Sequence, residues 1–394
     1  MRFADFLAPM PADRFLAEYH GRKPLHLPRS DSPARPIVGW QELNALLAIR
    51  SHWTEANLKL VMNSRPVAPD FYLDETDTSQ GRVRRANPAK VEVFLNMGAS
   101  LVANAVEEVS ADVRAICAGL AGQFGGRAGA NLYCSSRGVQ AFASHCDPHE
   151  VFAVQCEGEK SWNIYANRAA APVEALEGPD AQATIDRVKG PVAMKVEMRP
   201  GDLLYIPRGF YHDALASSGA SLHVTFSVAP LTGRILFRML EEMAIEDQAF
   251  REYLPDARGG DEAIVAERLA ALAARAAEII TSPRFSAELA DRQRQLAEPD
   301  HRFTLPERPT LDFFARTDKP ADLTSGPDGA VLRAGGQEVP IGTLAPAAEW
   351  ALSRRGFALQ ELLAGFRYME EAKLRQMAET MQRLGLFFPY RPEV

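Results

Sequence analysis

The chain has 394 residues, a formal net charge of −7, 46% hydrophobic and 24% charged residues, the profile of a soluble globular protein with two or three domains. No apolar run approaches the roughly 20 residues that span a bilayer, which excludes a helical membrane protein. The acidic balance argues against broad nucleic-acid binding, where lysines and arginines must neutralise phosphates, and is compatible with a basic protein partner. The N-terminal stretch Met1–Leu7 has no long apolar core followed by a cleavage site, so secretion is not expected. Cys117, Cys134, Cys146 and Cys156 show neither C-x-x-C nor zinc-finger spacing. Free thiols in a reducing cytoplasm are the expectation.

In chain order, residues 4–19 carry Phe6, Leu7, Phe15 and Leu16 and predict a helix interrupted near Pro9 and Pro11. A second amphipathic helix is expected over 39–49, with Leu43, Leu46 and Leu47 on one face. Residues 57–63 alternate as a strand. Residues 70–88 read as a polar loop in which Arg82, Arg84 and Arg85 sit close together as solvated charges or a substrate contact. A short strand follows at 99–103, then a helix over 110–124 with Ser110 as its N-cap. Short apolar runs and turn signals then predict eight strands, at 129–134, 144–147, 151–157, 160–165, 192–198, 202–206, 212–216 and 221–228. Strands of that number and spacing suggest a jelly roll or barrel.

Beyond residue 231 the pattern turns helical, with helices expected over 233–250, 261–280 and 286–296. After Pro306 a separate unit begins. It has a hairpin around Gly335-Gly336, helices near 347–354, 358–364 and 370–384, and a closing strand at 386–389. Helices plus a small hairpin resemble a winged-helix unit. The late helix mixes Glu370, Glu371, Lys373, Arg375, Glu379 and Arg383, which favours protein contact or scaffolding over DNA binding. The expected division is therefore 1–230, 231–300 and 301–394.

The chemistry is concentrated in Ser144-His145-Cys146-Asp147 and a distant partner, Gly209-Phe210-Tyr211-His212. On an extended segment, side chains at i and i+2 share a face, so His145 and Asp147 point the same way. His212 arriving on another strand would complete two imidazoles and one carboxylate on one side of a metal. That facial triad leaves the opposite positions open and suits non-haem Fe(II) oxygenases. Manganese, nickel or zinc would also fit these ligands.

The context of both histidines is more specific than H-x-D alone. Pro148 to Gln155 and Glu157 to Tyr165 follow the first, and Arg199 to Phe210 precede the second. This frame, over about residues 128–230, resembles the JmjC-type cupins, and more narrowly the ribosomal oxygenase group of Fe(II)/2-oxoglutarate hydroxylases. The resemblance implies a double-stranded β-helix that residues 22–28 join as a short strand, a helical dimerisation region and a C-terminal winged-helix-like domain. It implies the metal ligands His145, Asp147 and His212, with 2-oxoglutarate and O2 as co-substrates. Lys160 matches the family's basic residue for the distal carboxylate, and Asn131, Tyr133 and Thr225 match polar groups beside it. Relatives that carry arginine at the Lys160 position hold that carboxylate with a fork, whereas an ammonium is a point charge.

The implied reaction couples oxidative decarboxylation of 2-oxoglutarate, to succinate and carbon dioxide, with hydroxylation of a C–H bond. The implied substrate is an arginine or histidine of a ribosomal protein, met by a cytoplasmic homodimer without membrane or direct nucleic-acid binding. Methyl-lysine demethylation uses the same chemistry, but the motif stretches show no aromatic cage. Two other readings stay open: an oxygenase for a small molecule or peptide, and a non-catalytic metal-binding cupin. Among the remaining residues, His149 and His223 read as ordinary hydrogen-bonded histidines and Trp162 as core. Asp202 reads as support for its turn, and Arg208 as a substrate contact or cover for the barrel rim.

Overall fold

The computed structural model describes residues 2–29, 37–62, 64–79, 81–135, 143–259, 262–296, 312–326 and 329–390; Asn63, Asp261 and the boundary after Pro306 lie outside them. The chain divides into two compact units, Met1–Glu246 with Leu296–Glu298, and Asp247–Gln295 with Pro299–Val394.

The first unit is built on an antiparallel sheet. Its strands run in the order Leu25–Leu27, Leu203–Ile206, Glu150–Arg168, Phe210–Pro230, Gly126–Ser135, Ser100–Ala103, Leu58–Met62 and Arg65–Pro66, with Val192–Met198 added to Glu150–Arg168. The two long strands make it a double-stranded β-helix, because each serves two sets of neighbours. Val151–Val154 lies between Leu203–Ile206 and the far part of Phe210–Pro230, pairing Val151 with Ser227 and Val154 with Val224. Lys160–Ile164 lies between Val192–Met198 and the near part, pairing Lys160 with Ala216 and Ile164 with His212. Four runs expected as separate strands are thus halves of two continuous ones.

The bend in the first long strand falls at Gly158, whose φ is +64°. A Cβ there would lie 2.0 Å from the Ala220 carbonyl oxygen, so both the conformation and the space require glycine. Gly158→Ala is expected to cost about 2–4 kcal/mol and to lower the urea midpoint with little change in slope. An unchanged midpoint would show that the bend tolerates a side chain.

Residues Val151–Cys156 are apolar or uncharged throughout because both faces of the strand are buried. Phe152, Val154 and Cys156 join one core with Phe3, Phe6, Phe15, Ile116 and Leu120, carried by the helices Phe3–Leu7, Ala12–Glu18 and Ala111–Phe124. Val151 and Ala153 join the interior cluster of Trp162, Ile164, Val196, Leu204 and Ile206. The Ser110 side chain accepts from the Val113 N–H and caps the Ala111–Phe124 helix as expected.

Two expectations are corrected. Ser144–Asp147 is not a strand; it touches the sheet through a single bridge, His145 opposite His212. Pro148 follows immediately, and without an N–H it cannot extend a ladder. Residues 70–88 are not a loop. They contain the 3-10 turn Pro69–Phe71, a hairpin of Leu73–Thr78 with Gly81–Ala86, and the start of the helix Pro88–Asn96. Charged cross-strand pairs on both faces, Glu75–Arg84 on one and Asp74–Arg85 on the other, hide the period-two signal.

In the second unit, the helices Glu262–Ile280 and Pro283–Gln295 precede a three-stranded sheet with Phe313–Arg316 between Gly356–Ala358 and Phe387–Pro389. A meander of Ala321–Gly326, Gly329–Ala334 and Gln337–Pro340 contains the hairpin expected at Gly335-Gly336. The helices Ala345–Leu352, Leu359–Gly365 and Glu371–Arg383 close a core of Leu332, Ala347, Phe357, Leu362, Met377 and Phe387. Among the described residues no helix is long and apolar enough to cross a membrane.

Candidate metal and co-substrate site

His145, Asp147 and His212 converge in the interior of the barrel, each offering one ligand atom, and these atoms lie within 4.8 Å of one another. His212 comes from the start of the long strand Phe210–Pro230, and His145 is set opposite it by reciprocal backbone bonds of 3.0 and 2.8 Å. The Gly209 N–H donates to the Asp147 carbonyl at 2.9 Å. Gly209 has a φ of +88°, and a Cβ there would meet the Ala169 carbonyl oxygen at 2.5 Å. The turn that delivers His212 therefore requires glycine.

Both imidazoles are oriented in the same way. His145 Nδ1 lies 2.9 Å from the Ala143 carbonyl and His212 Nδ1 lies 3.0 Å from the Phe210 carbonyl. A carbonyl can only accept, so each Nδ1 carries the proton and each Nε2 lone pair faces the site, the arrangement a metal requires. Burial, reinforced by His145, holds the His212 imidazolium pKa down to about 4. Burial pushes the Asp147 carboxyl up, but His212, His145 and His149 more than offset it and hold it below the usual carboxylate range. Two imidazoles and a carboxylate fit a hard-to-borderline divalent cation.

The same cavity holds Lys160, Asn131, Tyr133 and Thr225, and is also lined by His149, Trp162, His223 and Ser227. Lys160 is 3% exposed, and among the described residues it makes no ion pair. Its ammonium lies 3.5 Å from His223 Nδ1. Burial pulls the ammonium pKa down to about 8, while burial and Lys160 hold His223 neutral, well below its ordinary value. A buried ammonium favours an anionic partner such as a carboxylate. Burial, with the Asp147 charge, pushes the Tyr133 hydroxyl up to about 12, so at neutral pH it is a hydrogen-bonding group without charge.

Sequence reasoning placed His223 among ordinary histidines. Its ring instead stacks on Tyr133 at 4.8 Å and meets Trp162 edge-on at 5.5 Å inside the site. The signal was available in strand parity, since 223 and 225 share a face, and their cross-strand partners are Tyr133 and Asn131. Trp162 is both core and wall, 5% exposed and lining the cavity. Asp202 accepts from the Arg29 and Arg199 backbone N–H groups and contacts His26, supporting its turn as expected.

Residues 108–235 match the family model described as the JmjC domain. Ribosomal oxygenase 1 of Gallus gallus is 32% identical over 266 residues, covering 64% of this chain and 42% of that protein. The protein named bifunctional lysine-specific demethylase and histidyl-hydroxylase NO66 of Dictyostelium discoideum is 30% identical over 260 residues, covering 64% and 48%. The chain thus spans less than half the length of these two curated relatives. Among solved structures, E. coli ycfD covers 96% of this chain and 98% of its own at 17% identity, with a TM-score of 0.53. A structure of YcfD, described as a ribosomal oxygenase from Escherichia coli in complex with cobalt and 2-oxoglutarate, has a TM-score of 0.50 at 16% identity, covering 96% and 98%. At these identities the structural likeness is one of fold.

Proposed function

We propose that this chain, which carries a JmjC domain and is homologous to ribosomal oxygenases, is an Fe(II)- and 2-oxoglutarate-dependent protein hydroxylase. One observation carries the reading: a three-ligand metal set and a buried cation without a counter-ion among the described residues line one cavity. His145, Asp147 and His212 would hold the iron. Lys160 would hold the distal carboxylate of 2-oxoglutarate, with Asn131, Tyr133 and Thr225 as hydrogen-bonding neighbours and His223 directing the ammonium. When bound, iron would supply the redox chemistry by which O2 is consumed, one oxygen atom going to the succinate formed with carbon dioxide from 2-oxoglutarate and the other entering a C–H bond of the substrate. The protein orients the co-substrate between a charge and a metal and keeps water from the reacting bond.

The substrate is a ribosomal protein, hydroxylated on an arginine or histidine. The ribosomal oxygenase relatives support this, as does a net charge of −7, which favours encounter with a basic protein. Intact-mass comparison of ribosomal proteins from cells with and without this gene tests it. A gain of about 16 Da on one protein, mapped to one side chain, is the mass of the one oxygen atom transferred. No shift on any ribosomal protein, with 2-oxoglutarate turnover intact, would turn the assignment to a small-molecule or peptide substrate.

The proposed working form is a cytoplasmic homodimer built through the helical segment, with the C-terminal domain as a winged-helix-like protein-contact module. Glu262–Ile280 contains no buried residue and exposes Ile264 and Leu269, apolar surface that a second copy would cover. Light scattering on wild type and on Ile264→Glu/Leu269→Glu is expected to give a dimer and a monomer. A monomeric wild type would remove the dimer.

Because Lys160 must be charged to hold a carboxylate, affinity for 2-oxoglutarate is expected to be level below about pH 7.5. It then falls, approaching tenfold per unit above about pH 8, as the free protein's ammonium deprotonates. Calorimetric titration of the manganese-loaded protein reads this, and a level profile through about pH 10 would remove Lys160 as the charged contact.

A further inference from the structure

We infer that Ser144 and Asp213 are positioning residues for the metal site, a side-chain clamp that fixes the register between the two segments carrying His145 and His212. The inference rests on the metal-site reading above. Each imidazole is tied through Nδ1 to a carbonyl of its own segment, two residues back. The distance between the two Nε2 atoms therefore depends on how one segment sits against the other. Among the described residues, the Ala143–Asp147 segment is in no ladder, and the sheet meets its backbone through the bridge at His145 and the Gly209 bond to Asp147.

One residue along from each imidazole, the side chains point away from the cavity and meet. Ser144 Oγ donates to Asp213 Oδ2 at 2.7 Å. The Tyr165 hydroxyl donates to the same oxygen at 2.5 Å, and Asn163 Nδ2 donates to Oδ1 at 2.9 Å. Lys189 Nζ donates to Ser144 Oγ at 2.9 Å, lies 4.5 Å from the centre of the Tyr165 ring, and pairs with Asp186 at 2.7 Å. Ser144 and Asp213 are 6% and 8% exposed. Burial pushes the Asp213 carboxyl up, but its bonds to Tyr165, Ser144 and Asn163, with the Lys189 charge, hold it below the usual range. A buried carboxylate receiving three hydrogen bonds is rigid. It belongs to the strand, so it transmits the strand's position to the short segment.

Cobalt(II) chloride titration of the full chain under anaerobic conditions, followed by visible absorption, tests the clamp below each variant's thermal transition. Ser144→Ala and Asp213→Ala are expected to bind cobalt about 10–100-fold more weakly and to change the shape of the ligand-field bands. Asp213→Asn keeps an acceptor for one hydroxyl and should recover part of the affinity. If Asp213→Ala fails to fold, Ser144→Ala, which removes one hydroxyl, decides alone. Wild-type affinity and band shape in folded variants would overturn the clamp while leaving the metal site standing. A wild type that binds no cobalt would overturn both.

Discussion

Lys160→Met is expected to make the metal-free protein more stable and at the same time to abolish binding of 2-oxoglutarate. The ammonium sits 3% exposed without an ion pair among the described residues, and burial pulls its pKa from 10.5 to about 8. Each pKa unit is about 1.4 kcal/mol, so keeping this lysine charged at neutral pH costs on the order of 3 kcal/mol. The folded pKa lies below the unfolded one, so the unfolded chain binds the extra proton between about pH 8 and 10.5. Wild-type stability should therefore rise with pH across that window, the cost being fully present below it. Methionine fills a similar volume without the charge, so the variant should gain up to about 3 kcal/mol at neutral pH and lose this pH dependence. Its 2-oxoglutarate affinity should drop by about 100-fold or more, because the distal carboxylate would be buried without a partner. Metal content should be nearly unchanged. Equal 2-oxoglutarate affinity in variant and wild type, read by calorimetry, would remove Lys160 from the site.

Asp147→Ala is expected to fail one step earlier. It removes the only carboxylate of the three-ligand set and leaves two imidazoles as ligands. Metal affinity should fall by more than the 10–100-fold that loss of a supporting residue brings, and 2-oxoglutarate binding and turnover should fall with it. The contrast with Lys160→Met separates the two halves of the cavity: one variant keeps metal and loses co-substrate, the other loses both. Elemental analysis of the purified variant measures the first quantity. Metal content equal to wild type would show that Asp147 is not a ligand.

The metal ligands were legible because their signal is local. H-x-D puts two ligands on one face, and the Pro-Gly frame around His212 marks a strand entering from a turn. Lys160 and Asn131 were legible through the family resemblance, and strand parity places them on the cavity side. His223 read as an ordinary histidine because a lone strand histidine is common; its parity with Thr225 and its register against Tyr133 put it on the cavity side. The Ser144–Asp213 clamp was invisible because it joins residues 69 positions apart. The division of the barrel into eight strands read two bends as breaks. Glycine at 158 signals a turn equally well in both cases, and only cross-strand pairing separates a bend from an end. The hairpin over residues 73–86 was hidden by charge on both faces, where neither face supplies an apolar rhythm.

The most direct test of the proposed site is equilibrium binding of 2-oxoglutarate to purified protein, without oxygen, with and without a divalent metal. Manganese(II) serves because it occupies oxygen and imidazole ligands and keeps the co-substrate intact. The expected result is binding only when metal is present, lost in both Asp147→Ala and Lys160→Met. Binding that ignores the metal, or a metal-loaded protein that binds no 2-oxoglutarate, would contradict the assignment of this cavity.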